Sequence, residues 1–357
     1  MMNSEKTNGF WSGRSVLVTG ASGLLGGWLV KYLAAEGADV VALVRDGAPK
    51  SMLFRERWIE RIGTVQGDVK DEALLRRTMC EYSVDTVFHL AAQAIVGVAK
   101  QDPLGTLETN VQGTWNVLEA ARQSQVKQIV VASSDKAYGS SNDLPYHENQ
   151  ALRGTYPYDV SKSCTDLIST MYAVSFGVPV AIARCANLFG GGDLNFSRTI
   201  PGVIQATLNG ERFLIRSDGK FVRDFLYVED AATAYMRVAE KLAEDRSLAG
   251  EAFNFSLETR LTVLEVVEQV LRIMGRTDLA PVIQNIAKAE IREQYMTCEK
   301  ARRRLGWAPR FGMEEGLRET VDWYRAHFAN GEDSAMLSGS FSRAQESNEV
   351  PALLPKE

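Results

Sequence analysis

Short apolar runs alternate along the first two hundred positions with longer segments of helical spacing. SVLVTG (15–20), DVVALV (39–44), TVQGD (64–68), TVFHLAA (86–92), QIVVASS (128–134) and PVAIAR (179–184) are rich in β-branched residues and too short for helices, so each predicts a buried strand. Between them LLGGWLVKYLAAEG, DEALLRRTMCEY and NVQGTWNVLEAARQS repeat their apolar residues at helical intervals. Strand, helix and strand repeated in this way predict an α/β fold, a doubly wound parallel sheet covered by helices on both faces. Ligands of such sheets sit at the carboxyl ends of the strands.

The regularity fades from about residue 193. Isolated strands such as RFLIR (212–216) and AFNFS (252–256) and the helical patterns VLEVVEQVLRIMG (263–275) and MEEGLRETVDWYRAHF (313–328) predict a smaller mixed α/β portion. The expected division is therefore 13–192 and 193–330, with some crossing back of the chain. The Ser-, Glu- and Asn-rich tail, 331–357, is expected to be disordered.

Composition narrows the function. The 357 residues hold 40 Lys and Arg against 45 Asp and Glu, a net charge of −5, which argues against a nucleic-acid or membrane-surface binder. No run approaches the roughly 18 to 20 apolar residues of a membrane span, and MMNSEKTNGFWSG lacks the apolar centre of a signal peptide. The cytoplasm is the expected location. Cys80, Cys164, Cys185 and Cys298 are scattered, and His89, His147 and His327 show no ligand spacing, so neither a disulfide framework nor a metal site is expected.

Gly20-Ala21-Ser22-Gly23-Leu24-Leu25-Gly26 follows the first strand and opens the first helix. Glycines there permit a tight turn and close approach of backbone N–H groups to a pyrophosphate, which a helix N-terminus also attracts. The GxxGxxG spacing points to a class of nicotinamide enzymes, so NAD or NADP is the expected cofactor. Arg45, just beyond the second strand, suits a 2′-phosphate and favours NADP, while Asp46 beside it suits an unmodified ribose. Asp68, with Val69 at the end of the third strand, can accept from an adenine amino group; helix capping is the competing role, for which Asp71 is better placed.

Ser134 ends the fifth strand, and Tyr158 and Lys162 stand at i and i+4 on one face of a helix. An ammonium near the phenol is expected to lower its pKa from about 10 towards neutrality, so that tyrosinate removes a hydroxyl proton while hydride leaves the same carbon. The serine hydroxyl would hold the substrate oxygen.

Together these pieces resemble the extended short-chain dehydrogenase/reductases of the nucleotide-sugar epimerase and dehydratase type, over roughly residues 13–330. The matching segments are VTGASGLLG (18–26), HLAAQ (89–93), ETNVQGTWNVLEAAR (108–122), SSDKAYG (133–139), YPYDVSK (156–162), RCANLFGGGD (184–193) and RDFLYVEDAA (223–232). The resemblance implies a Rossmann-type first portion that binds NAD(P) and a second portion that binds a nucleoside-diphosphate sugar. It makes Tyr158 the acid/base, Lys162 its helper and ribose contact, and Ser134 the hydroxyl binder. It adds Leu90, Ala91 and Ala92 beside the cofactor, with Gln93 and Asn110 shaping the substrate site. Asn187, Arg223 and Arg292 match diphosphate contacts, and Arg198 is a further candidate. A homodimer through helices at 103–124 and 156–176 is also implied.

Within that family SSDKAYG is most similar to the CDP-glucose 4,6-dehydratases. Oxidation at C4 acidifies the C5 hydrogen; a base removes it and an acid protonates the departing C6 hydroxyl. The resemblance makes Asp135 the acid and Lys136 the base. A pair that merely stabilises a turn is the structural alternative. Leu24-Leu25, Gly139 and SNDLPY (141–146) depart from the CDP-glucose pattern and put the nucleotide in doubt more than the reaction. A 4-epimerase needs only Ser134, Tyr158 and Lys162, and a non-catalytic dinucleotide-binding protein is the third reading.

Overall fold

Alternate residues of β1 (Ser15–Thr19) enter different cores. Val16 and Val18 pack with α1 (Leu24–Ala35) and the helix Val228–Glu244, while Leu17 joins Leu75, Met79, Val117 and Leu118 on the opposite face. Burial on both faces is why the strands read as continuous apolar runs. Each such Val or Leu contributes about 1.5–3 kcal/mol of transfer free energy. The computed structural model describes residues 9–286 and 291–329. The predicted disordered tail lies outside the described residues.

The remaining strands of this sheet are β2 (Asp39–Val44), β3 (Gly63–Gln66), β4 (Thr86–His89), β5 (Gln128–Ser134) and β6 (Val180–Cys185). They run parallel in the order β6-β5-β4-β1-β2-β3, with Ala252–Phe255 as a seventh parallel strand beside β6. AFNFS is therefore not an isolated strand of the second portion. Phe253 and Phe255, both fully buried, bring it back to the main sheet opposite Ala183 and Cys185, a pairing that no local pattern signals. The chain order reverses between β1 and β4, where Thr19 lies opposite His89. That is the position at which an open α/β sheet makes its ligand crevice.

Two strands are shorter than their apolar runs. β3 stops at Gln66 because Asp68 turns the chain and Asp71 caps the next helix, accepting from the amide of Leu74 at 2.9 Å. β4 stops at His89, leaving Leu90–Gln93 as loop above the sheet.

Asn187–Phe189, near the end of the first portion, pairs with Phe225–Tyr227 of the second, where Val222–Arg223 also pairs with Leu261–Thr262 and Leu214–Ile215 with Val282–Ile283. The helix Val263–Met274 starts in a capping box of Thr262 and Glu265 and ends at left-handed Gly275. No helix among the described residues is long and apolar enough to cross a membrane.

Candidate active site at the carboxyl end of the sheet

The glycine turn brings the protein's own backbone segments into close approach. Gly20 has φ +72°, and a Cβ there would meet the amide of Ala91 at 2.7 Å. At Gly26 a Cβ would lie 2.2 Å from the carbonyl of Gly20, so this residue sets how closely α1 packs on β1. Gly23 is the N-cap of α1; no side chain caps the helix and no acid occupies its first turn. The amides and positive dipole end at Leu24 and Leu25 thus face the turn uncancelled, as an anion requires.

The loop after β4 is fixed from beneath. Thr19 Oγ1 accepts from the amides of Leu90 and Ala91 at 3.2 Å each, and bonds His89 Nδ1 at 2.9 Å. Asn110, buried in the π-helical turn Glu108–Gln112, accepts from the amide of Gln93 at 2.7 Å and donates to Ser161 Oγ at 2.8 Å. It ties the loop to the helix Pro157–Phe176 and so acts behind the crevice surface. Arg45 and Asp46 form an exposed ion pair at 2.6 Å. Arg45, Lys70, Ala92 and Gln93 share the wall of a cavity of about 250 Å³.

β5 delivers Ser134 and, in the 3₁₀ turn Asp135–Tyr138, the next two candidates. Ser134 Oγ donates to Asp135 Oδ1 at 2.9 Å and accepts from the amide of Lys136 at 3.2 Å. The Lys136 ammonium lies 3.9 Å from Asp135 Oδ2, an atom buried without a hydrogen-bond partner. The helix Pro157–Phe176 presents Tyr158, Lys162 and Asp166 on one face. Lys162 donates to the carbonyl of Ala132 at 2.7 Å, and Asp166 pairs with Arg184 at 2.6 Å.

The expected fall of the Tyr158 pKa is corrected by this geometry. Lys162 is anchored on β5, with its nitrogen 5.9 Å from the centre of the Tyr158 ring. Burial pushes the phenol up to about 12, with Asp135 adding to the rise and Arg198 and a hydrogen bond with Ser134 opposing it. Burial also pulls Lys162 down to about 8, against the attraction of Asp166. In the protein alone the phenol is a neutral acid held beside Ser134.

The diphosphate candidates lie across the crevice, and several have partners within the protein. Arg198 pairs with Asp193 at 3.0 Å, and Asn187 donates to the carbonyl of Asp224 at 2.9 Å. Arg223 donates to the carbonyl of Val222 at 2.9 Å, while exposed Arg292 lends its carbonyl to the amide of Val222 at 2.9 Å. The Asp224 carboxylate does not act chiefly as partner to Arg223. It accepts from the amides of Phe225 and Thr259 at 2.9 Å and of Met296 at 3.2 Å, and burial pushes it up to about 6. Tyr138, Phe189 and Phe225 are buried in the core, while Phe196 is partly buried against it.

Residues 16–255 match the NAD dependent epimerase/dehydratase family. The chain belongs to that family. It is 32% identical over 346 residues to the CDP-glucose 4,6-dehydratase of Salmonella typhimurium, covering 92% of this chain and 95% of that protein. Among solved structures it is similar to a dTDP-glucose 4,6-dehydratase of Streptomyces venezuelae with NAD and TYD bound, with TM-score 0.81, 29% identity and coverage of 89% and 99%. It is also similar to a UDP-glucose 4-epimerase of Thermotoga maritima with UDP-glucose, with TM-score 0.80, 27% identity and coverage of 88% and 99%.

The family is NAD-dependent, and the residues present fit that cofactor. The first turn of α1, entered through Gly23 with no side-chain cap and no acid in it, suits a pyrophosphate. Gln294 and Asp166 were missed by sequence reasoning, because neither belongs to a motif that names its partner.

Proposed function

We propose that the chain is a nucleotide-sugar 4,6-dehydratase that converts a CDP-glucose-like substrate into its 4-keto-6-deoxy product. The observation that carries the reading is the placing of Asp135 and Lys136 directly beyond Ser134, with Tyr158 against the same serine. The similarity to the Salmonella CDP-glucose 4,6-dehydratase over 92% of the chain supports it. Ser134 orients the C4 hydroxyl and Tyr158, in its ionised form, receives the proton, with the Lys162 ammonium behind it. NAD, when bound, supplies the chemistry that takes hydride from C4 and, after water has left, returns it to C6 while Lys136 gives its proton back to C5. Lys136, as the free amine, takes the C5 proton; the C5–H electrons form the C5=C6 bond as the C6–O bond breaks, and Asp135 protonates the departing hydroxyl to give water. Tyr158 and Lys162 also contact the nicotinamide ribose, while Asn187, Arg198, Arg223 and Arg292 meet the diphosphate.

Purified protein incubated with CDP-glucose, dTDP-glucose, UDP-glucose and GDP-mannose is expected to convert one of them to a product lighter by one water. An isomer of unchanged mass would refute the dehydratase reading in favour of the 4-epimerase, which the Thermotoga maritima likeness keeps as the second reading.

The same reading includes a cytoplasmic homodimer. Leu167, Met171 and Val174 form an exposed apolar stripe on the helix Pro157–Phe176, beside exposed Leu104 and Trp115. Such a face is what a second copy would cover. Light scattering of the wild type is expected to give a dimer mass, and Val174→Glu a monomer.

A further inference from the structure

The segment that follows the described gap, 291–298, is threaded between the two portions. Val222 donates its amide to the carbonyl of Arg292 at 2.9 Å, and Gln294 donates back to Val222 at 3.1 Å. On its other side Tyr146 donates to the carbonyl of Tyr295 at 2.9 Å and accepts from the amide of Thr297 at 2.9 Å. The buried Asp224 carboxylate holds the amide of Met296. The register of Gln294 is thus set from both sides by backbone bonds, and its side chain is 1% exposed. Its Oε1 accepts a hydrogen bond from the Lys136 ammonium across 158 residues of sequence. Asp135 Oδ2, 3.9 Å from the same ammonium, is buried without a hydrogen-bond partner within the protein.

We propose that Gln294 is a positioning residue for Lys136 in the water-loss step, a role that rests on the dehydratase reading. A base must change charge without moving, and an amide oxygen suits that requirement. It accepts an N–H from the ammonium and equally from the free amine, whose lone pair then stays directed at the C5 hydrogen. A carboxylate in the same place would favour the ammonium and withhold the base. Buried Asp159, next to Tyr158, already supplies one such charge. Burial raises Asp159 to about 6, with Lys136 and Lys100 opposing and Asp135 adding to the rise. Arg223 is a further cation facing the neighbouring Tyr146. A neutral acceptor from the second portion fixes the amine without itself adding a carboxylate.

The test follows the two half-steps separately, using whichever of CDP-glucose and dTDP-glucose the wild type dehydrates. Gln294→Met keeps length and apolar volume but removes the acceptor. It is expected to oxidise C4 at close to the wild-type rate and to lose about a hundredfold in water loss, so that reduced cofactor accumulates at 340 nm. KM is expected to be unchanged. Gln294→Glu keeps shape and acceptor, and its water-loss step is expected to need a pH higher by about one unit or more. Water loss in both variants as fast as wild type, with no accumulation of reduced cofactor, would overturn the inference alone. An equal fall in both half-steps in both variants would show a merely structural role and overturn it too. If the wild type forms no 4-keto-6-deoxy product from either substrate, the dehydratase reading falls and takes the inference with it.

Discussion

Lowering the pH below 6.5 withdraws a stabilising contribution that belongs to His89. The ring sits at the end of β4, 2% exposed, between Thr19 Oγ1 at 2.9 Å and Thr114 Oγ1 at 3.2 Å. Thr114 donates its own proton to the carbonyl of Asn110 at 2.5 Å, so it can only accept from His89 Nε2. Thr19 already accepts from two amides and therefore donates to Nδ1. Both neighbours are satisfied by the neutral ring, and a second ring proton has no acceptor. Burial, with Lys162 adding to it, pulls the pKa from 6.5 down to about 3. A pKa depressed by folding stabilises the protein fully above the unfolded value of 6.5, and that contribution is lost as the pH falls towards 3. Two units below 6.5 the loss is about 2.7 kcal/mol. Asp159 and Asp224, both raised to about 6, change stability in the opposite direction over the same range, so the wild-type curve alone does not isolate His89. Comparison with His89→Asn cancels them. Urea unfolding of both proteins at pH 7.5 and 4.5 is expected to show the wild-type advantage shrinking by about 2.7 kcal/mol at the lower pH. A difference independent of pH, or ring resonances of His89 titrating near 6.5, would refute the reasoning.

Asp135→Asn is expected to lower water loss by about 10²- to 10⁴-fold, the worth of a positioned general acid, while reduced cofactor still forms on addition of substrate; this is read by product mass and absorbance at 340 nm. Asp166→Ala leaves Arg184 buried and without its 2.6 Å partner, so unfolding free energy is expected to drop by about 3–5 kcal/mol in urea titration. Asp166→Leu with Arg184→Met, which removes both charges, is expected to recover most of that loss. Arg45→Asp is expected to weaken NADP relative to NAD by about tenfold or more in direct binding titrations, since a carboxylate beyond β2 accepts from a ribose hydroxyl and repels a 2′-phosphate.

The parts of the site that were legible in the sequence are those whose cause is local. GxxGxxG identifies a turn because Gly20 needs its left-handed φ and Gly26 needs a missing Cβ, both within the span of one strand and one helix. Tyr158 and Lys162 share a helix face by spacing alone, and Ser134-Asp135-Lys136 lie on consecutive residues. The phenol pKa was misjudged because spacing places two side chains on one face but does not say what the lysine binds. Here the carbonyl of Ala132, thirty residues upstream, holds it. The same limit hid the seventh strand, whose partner β6 lies far back in the chain, and the pair Asp166–Arg184, formed between a helix and that strand. Gln294 is the extreme case. Nothing in EQYMTCEK distinguishes it from a surface glutamine until Asp224, Tyr146 and Val222 align the segment against the turn Asp135–Tyr138. The side chains proposed to act on the substrate therefore cluster in readable motifs at strand ends, whereas the one proposed to position them comes from a segment the fold brings across the crevice.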